Sequence, residues 1–174
     1  MALEDDIRFL SKVSLFQGFS PDQLRLIAFG SERQRLKPGE VLFRDGDNAP
    51  GGFVVMAGQV NLVTNKSEGE IVLDRCFQGA LIGELALIAP SKRVTEAVAR
   101  VESEVMAIPR TLFRRMMDEY PQTAAMLQAE ITQNVRRLVL RLEKLQGRLN
   151  AIGPLRAALA DDEEPDRSEP PRTR

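Results

Sequence analysis

The chain has 174 residues, a net charge of −1, one cysteine and no histidine. That length supports one domain with a real core plus an appendage, and falls short of two full domains of ordinary size. Without histidine there is no Ser-His-Asp or Cys-His nucleophile, no imidazole acid/base chemistry and no His-containing metal site, so neither catalytic nor metal-binding residues are expected. The near-neutral charge offers no global electrostatic case for nucleic acid. Cys76 cannot form an internal disulfide, which suits a reducing, cytoplasmic setting; no apolar run reaches membrane-span length, and charges throughout residues 1–20 rule against a signal peptide.

In chain order, Leu3, Ile7 and Leu10 have helical spacing over residues 3–13. Ser20-Pro21-Asp22-Gln23 is a helix start with proline at the first position, and that helix is expected to run to about Gly30, burying Leu24, Ile27 and Ala28. From Glu32 the pattern changes to short strands between glycine-bearing turns: Leu36 to Phe43 around Pro38-Gly39, Phe53 to Met56, Val60 to Val63, Ile71 to Leu73, Val94 to Val98 and Val105 to Ile108. Such strands argue for an antiparallel sandwich or roll and against a parallel sheet with crossover helices.

Within this region stands Gly83-Glu84-Leu85-Ala86-Leu87-Ile88, followed by Arg93-Val94-Thr95. Singly, the apolar residues read as core, Glu84 as a first-turn dipole residue and Arg93 as a surface charge. Their order points instead to an anion pocket. A short helical turn after Gly83 offers free N–H groups near Leu85 and Ala86, Arg93 offers a guanidinium fork, and Glu84 accepts from a hydroxyl pair such as a ribose edge.

Helical periodicity returns after Pro109, with Thr111 as a cap for Leu112, Phe113, Met116 and Met117. After Tyr120-Pro121 comes the longest periodic segment: Leu127, Ile131, Val135, Leu138, Leu142, Leu145, Leu149 and Ile152, spaced alternately four and three after the first interval. This heptad seam predicts a homodimer through residues 127–152, with Val139 and Leu140 forming a second apolar strip. Arg136, Arg137, Arg141, Lys144 and Arg148 form a basic strip without interleaved aromatics, better suited to solvent or a protein partner than to DNA. Asp161 to Arg174 lacks apolar residues and predicts disorder. The expected organisation is a roll over 1–119, a long helix over 120–152 and a tail over 153–174.

Three segments in this order resemble the cyclic nucleotide-binding domain: Lys37-Pro38-Gly39-Glu40-Val41-Leu42-Phe43-Arg44-Asp45-Gly46-Asp47, Phe53 to Val60, and Gly83-Glu84-Leu85-Ala86-Leu87 with Arg93. The resemblance covers about residues 10–150. It implies an α+β fold, an antiparallel β-roll of jelly-roll type with short N-terminal helices and a long C-terminal helix. It also implies that Arg93 pairs with the cyclic phosphate, that Glu84 takes the ribose 2′-hydroxyl, and that the Leu85 and Ala86 amides complete the cradle after Gly83.

The chain departs from the family pattern in four places. Val94 stands where many members have Ser or Thr, which favours cAMP over cGMP as ligand, and Thr95, on Arg93's side of a strand, is the candidate substitute hydroxyl. Glu96 stands where a small residue is usual. Ungapped counting from Pro121 puts the purine-facing positions on Leu138 and Val139, apolar residues that stack on a base without reading its edge. No winged helix follows the long helix, so DNA binding by this chain alone is not expected. The implied function is a stand-alone cyclic nucleotide sensor signalling through the C-terminal helix to a dimer or protein partner; the rival reading is a ligand-free oligomerisation module.

Overall fold

The structure, a computed structural model, describes residues 2–67, 69–134, 136, 137, 140, 143 and 144. It has two compact units, residues 1–131 and 132–174; in the second, the described residues are helical.

The first unit opens with α1 (Ala2–Leu10), a 3₁₀ turn at Ser14–Phe16, and α2 (Pro21–Gly30). The α2 start follows the expected chemistry in full. Pro21 needs no donor at the first helical position, the Gln23 N–H donates to Ser20 Oγ at 3.4 Å, and the Ser20 N–H donates back to Gln23 Oε1 at 2.8 Å, closing a capping box. α1 stops at Leu10, three residues short of the expected end, because the chain tightens into turns at Lys12 and Val13 whose N–H groups donate to Phe9 and Leu10.

Among the described residues ten strands follow: β1 (Glu32–Leu36), β2 (Val41–Phe43), β3 (Asn48–Ala49), β4 (Gly51–Ala57), β5 (Gln59–Lys66), β6 (Gly69–Phe77), β7 (Leu81–Ile82), β8 (Ser91–Lys92), β9 (Glu96–Ala99) and β10 (Ser103–Pro109). The turn α3 (Leu85–Ile88) lies between β7 and β8, and α4 (Arg110–Glu119) follows β10. Residue 120 breaks the helix, and residues 121–134 form α5. All pairings are antiparallel, in sheets ordered β1-β10-β4-β7 and β2-β9-β5-β6 with a β3-β8 ribbon. The expected antiparallel roll is therefore present.

The sheet containing β4 and β10 is a middle layer, and strand alternation explains how. Val54, Met56, Met106 and Ile108 point to a helical core with Phe16, Ile27, Phe113 and Met116, while Val55 and Val105 point to an inter-sheet core with Leu36, Phe43, Val60, Cys76 and Ala97. A strand buried on both faces must be apolar at consecutive positions, which is why Phe53-Val54-Val55-Met56 has no polar interruption. Gly51 permits a close approach of β4 to β10: a Cβ there would lie 2.0 Å from the Ile108 carbonyl oxygen.

Two expectations change here. Thr111 does not cap α4; the cap position falls two residues earlier, on Pro109, which holds an extended conformation before the helix starts at Arg110, and the Arg110 N–H donates to the Pro50 carbonyl at 2.8 Å. Leu127 and Ile131, the first residues of the heptad stripe, are buried in the unit's own helical core and are not available to a partner helix. The later seam positions Val135, Leu138, Leu142, Leu145, Leu149 and Ile152 lie outside the described residues, as do Val139, Arg141, Arg148 and the tail.

Candidate functional site

The sequence places Gly83 and Arg93 ten residues apart, and the fold brings them into contact. Gly83 has φ +74°, the left-handed conformation that favours glycine. A Cβ there would sit 2.3 Å from Arg93 Nη1, so glycine is required both for the turn and for the space the guanidinium occupies. β7 delivers Gly83 to this point and the β3-β8 ribbon delivers Arg93, whose N–H donates to the Asp47 carbonyl at 2.8 Å.

Arg93 is only 6% exposed. Its Cζ lies 4.3 Å from the Phe43 ring centroid and 5.3 Å from that of Phe53, two rings themselves stacked 5.9 Å apart. Nη2 donates to the Gly51 carbonyl at 2.7 Å, and Nε is buried with no hydrogen-bond partner among the described residues. Burial pulls the Arg93 pKa below its ordinary value, with Asp47 acting in the opposite direction. Aromatic faces and one carbonyl compensate a buried cation only partly, so this guanidinium retains unmet capacity for an anion. Neither aromatic wall nor the Gly51 carbonyl was expected as part of the site. Phe43 and Phe53 stand in runs that the sequence marks as strands, and nothing in those runs marks a binding wall.

The turn itself is more closed than its sequence suggests. Ala86 is buried, and its N–H, expected to be free, donates to the Gly83 carbonyl at 3.0 Å; Leu87 likewise donates to Glu84 at 3.1 Å. In so short a helix, i→i+3 bonds consume donors that a longer α-helix would leave open. Leu85 is half exposed, and its amide has no backbone acceptor among the described residues. Glu84 is half-buried, with helical backbone angles at the start of the turn.

The expected strand over Val94 to Val98 begins only at Glu96. Val94 and Thr95 form a bend after Arg93, so strand alternation does not put Thr95 on Arg93's side; Val94 is 81% exposed and Thr95 half-buried. Glu96 has a local explanation, since it pairs with Arg44 at 3.7 Å. Leu138 and Val139 lie outside the described residues. A cavity of about 500 Å³ bordered by Gly18, Gln23, Tyr120 and Thr123 lies on the helical side of the unit, and among the described residues none of the expected site residues lines it.

The roll is thus antiparallel, and its glycine-opened turn closes on a buried arginine. The cyclic nucleotide-binding domain family model matches residues 33–120, half of the chain, and the chain belongs to that family. A cyclic nucleotide-binding-like protein from Brucella abortus is similar at 46% identity and a TM-score of 0.60, over 66% of this chain and 98% of that one. The Thermus thermophilus catabolite activator protein is similar at 28% identity and a TM-score of 0.65, over 76% of this chain and 62% of that one. Lysophospholipase nte1 of Neurospora crassa is 32% identical over 120 residues, 68% of this chain, and the chain spans only 8% of that relative's length. Domains of this family are regulatory. Among the described residues no helix is long and apolar enough to cross a membrane.

Proposed function

We propose that this chain is a regulatory sensor that binds a cyclic nucleotide, cAMP in preference to cGMP, through Gly83, Glu84, Leu85, Ala86 and Arg93. The observation that carries the reading is the buried Arg93 guanidinium with its unpartnered Nε beside the Gly83 turn. A cyclic phosphate supplies the acceptors this group lacks, Glu84 takes the ribose hydroxyl, and the Leu85 amide adds a donor. The Ala86 amide joins only if its bond to Gly83 opens. The exposed Val94 side chain, which offers no hydroxyl, underlies the preference for cAMP. Leu138 and Val139 remain the proposed apolar lid, and the C-terminal helix the route to a dimer or protein partner. The lysophospholipase activity named for the Neurospora relative is not carried over, since the matching segment is a small part of that protein.

Isothermal titration with cAMP and cGMP tests this reading. Arg93→Ala should weaken binding by at least tenfold with the fold intact, since each charge-assisted hydrogen bond contributes about 1.5–3 kcal/mol. Wild-type cAMP affinity in that variant would falsify the assignment. One observation favours the rival reading of a ligand-free interaction module: Arg93 already bonds Gly51 and stacks on two phenylalanines. A thermal-shift screen separates the two, because a ligand at a hundred times its Kd stabilises by about 2.7 kcal/mol and a ligand-free module shows no shift.

A further inference from the structure

Arg110 stands at the first position of α4, where the helix dipole disfavours a cation. Its side chain compensates by reaching away from its own helix. Nη1 lies 2.9 Å from the Ala49 carbonyl oxygen, 3.3 Å from that of Ala89 and 3.5 Å from that of Ala86. Ala86 is the second residue of α3 and Ala89 the residue just after it, and the carbonyls of so short a helix lack intrahelical donors and can accept from a cation. Nη1 carries two hydrogens, so Ala49 and Ala89 take the two best bonds and Ala86 a longer contact. The backbone N–H of the same residue donates to Pro50 at 2.8 Å. Residues 49–51 are thus gripped twice: Arg110 holds Ala49 and Pro50, while Arg93 holds Gly51.

We propose that Arg110 is a positioning residue, a clip that makes the Gly83–Ala89 turn, the 49–51 segment and the start of α4 move as one body. Through it, a change at Arg93 or in the turn reaches α4 directly. This coupling role rests on the cyclic nucleotide reading above, whereas the clip itself does not. An anion that draws Arg93 Nη2 from the Gly51 carbonyl releases one grip on residues 49–51, and the other grip transfers the adjustment to the first turn of α4. Arg110 itself touches no ligand in this scheme. Its loss should spare most of the binding affinity while removing the response of α4.

Amide hydrogen exchange on the whole chain tests both parts. Without nucleotide, Arg110→Met, which keeps the apolar stem and removes the charge, should speed exchange at residues 86–89 and 110–113 about tenfold, with core amides of β4 and β10 unchanged. Arg110→Lys should restore most of the protection. Unchanged rates, or acceleration spread evenly over the core, would overturn the clip. With saturating cAMP, wild type should gain protection in both segments, and Arg110→Met in the turn alone; a full response of residues 110–113 in that variant overturns the coupling. If wild type shows no response to cAMP, the coupling and the ligand reading fall together, and the nucleotide-free comparison still decides the clip.

Discussion

The β4–β10 layer and the Gly83–Thr95 segment are neighbours built by different means. The layer is held by apolar side chains on both faces: Val54, Val55, Val105, Met106 and Ile108 are each no more than 1% exposed. The segment is anchored in the helical core at one point, Leu87, and is otherwise held by backbone conformation and by two arginines bonded to carbonyl oxygens, with Leu85, Ile88 and Val94 left exposed. Apolar burial is non-directional and tolerates small rearrangements, whereas a guanidinium on a carbonyl depends on position. Damage to the layer should therefore appear as lost stability, and damage to the segment as lost binding in a folded protein.

The largest effect expected is on the layer's support. Phe113, fully buried against Phe16, should cost about 3–5 kcal/mol on truncation to alanine, read from urea denaturation. A cost below 1 kcal/mol would mean that the helical core is looser than its burial indicates. Arg93→Ala should show the opposite profile, with binding weakened as described above and the denaturation midpoint within about 1 kcal/mol of wild type, since the substitution also removes a buried cation lacking a full set of partners.

Gly83→Ala probes the boundary between the two regions. The φ of +74° and the 2.3 Å approach to Arg93 Nη1 predict a stability loss of about 1–2 kcal/mol together with a larger fall in nucleotide affinity, because the guanidinium must give way. Equal losses in stability and binding would blur the distinction. Ser20→Ala, which opens the α2 capping box far from the segment, should cost about 1 kcal/mol in stability and leave affinity unchanged.

The smallest effect near neutrality belongs to Cys76. Burial, with a lesser contribution from Asp74, pushes its thiol pKa up to about 11 from the ordinary 9.0. The unfolded chain therefore loses this proton first as pH rises, and stability should fall between about pH 9 and 11, with no effect at pH 7. Cys76→Ala should remove that slope. An identical alkaline profile in the variant would show that other groups set it.

How legible each region was follows from the same contrast. The cap at Ser20, the strand runs and the turn glycines carry local signals, and these appeared where the spacing put them. Thr111 and Thr95 failed for local reasons as well: the Arg110 N–H found a distant carbonyl at Pro50, and a bend replaced the start of the expected strand after Arg93. The aromatic walls Phe43 and Phe53, the Gly51 acceptor and the Arg110 clip had no local signal, because each depends on chains brought together from separate strands. The long stripe misled at its start for a related reason. A helix packed on its own domain and a helix packed on a partner have the same periodicity, and only the fold showed that Leu127 and Ile131 face inward.

By itself the sequence determined the antiparallel roll, through short apolar runs broken by glycine turns, and singled out Gly83-Glu84 and Arg93 as a candidate anion site. Tertiary structure alone decided how deeply Arg93 is buried, what already holds it, and which donors of the turn are spent. Those properties depend on long-range packing and backbone carbonyls, and a carbonyl is the same at every residue, so no sequence marks the one an arginine will find.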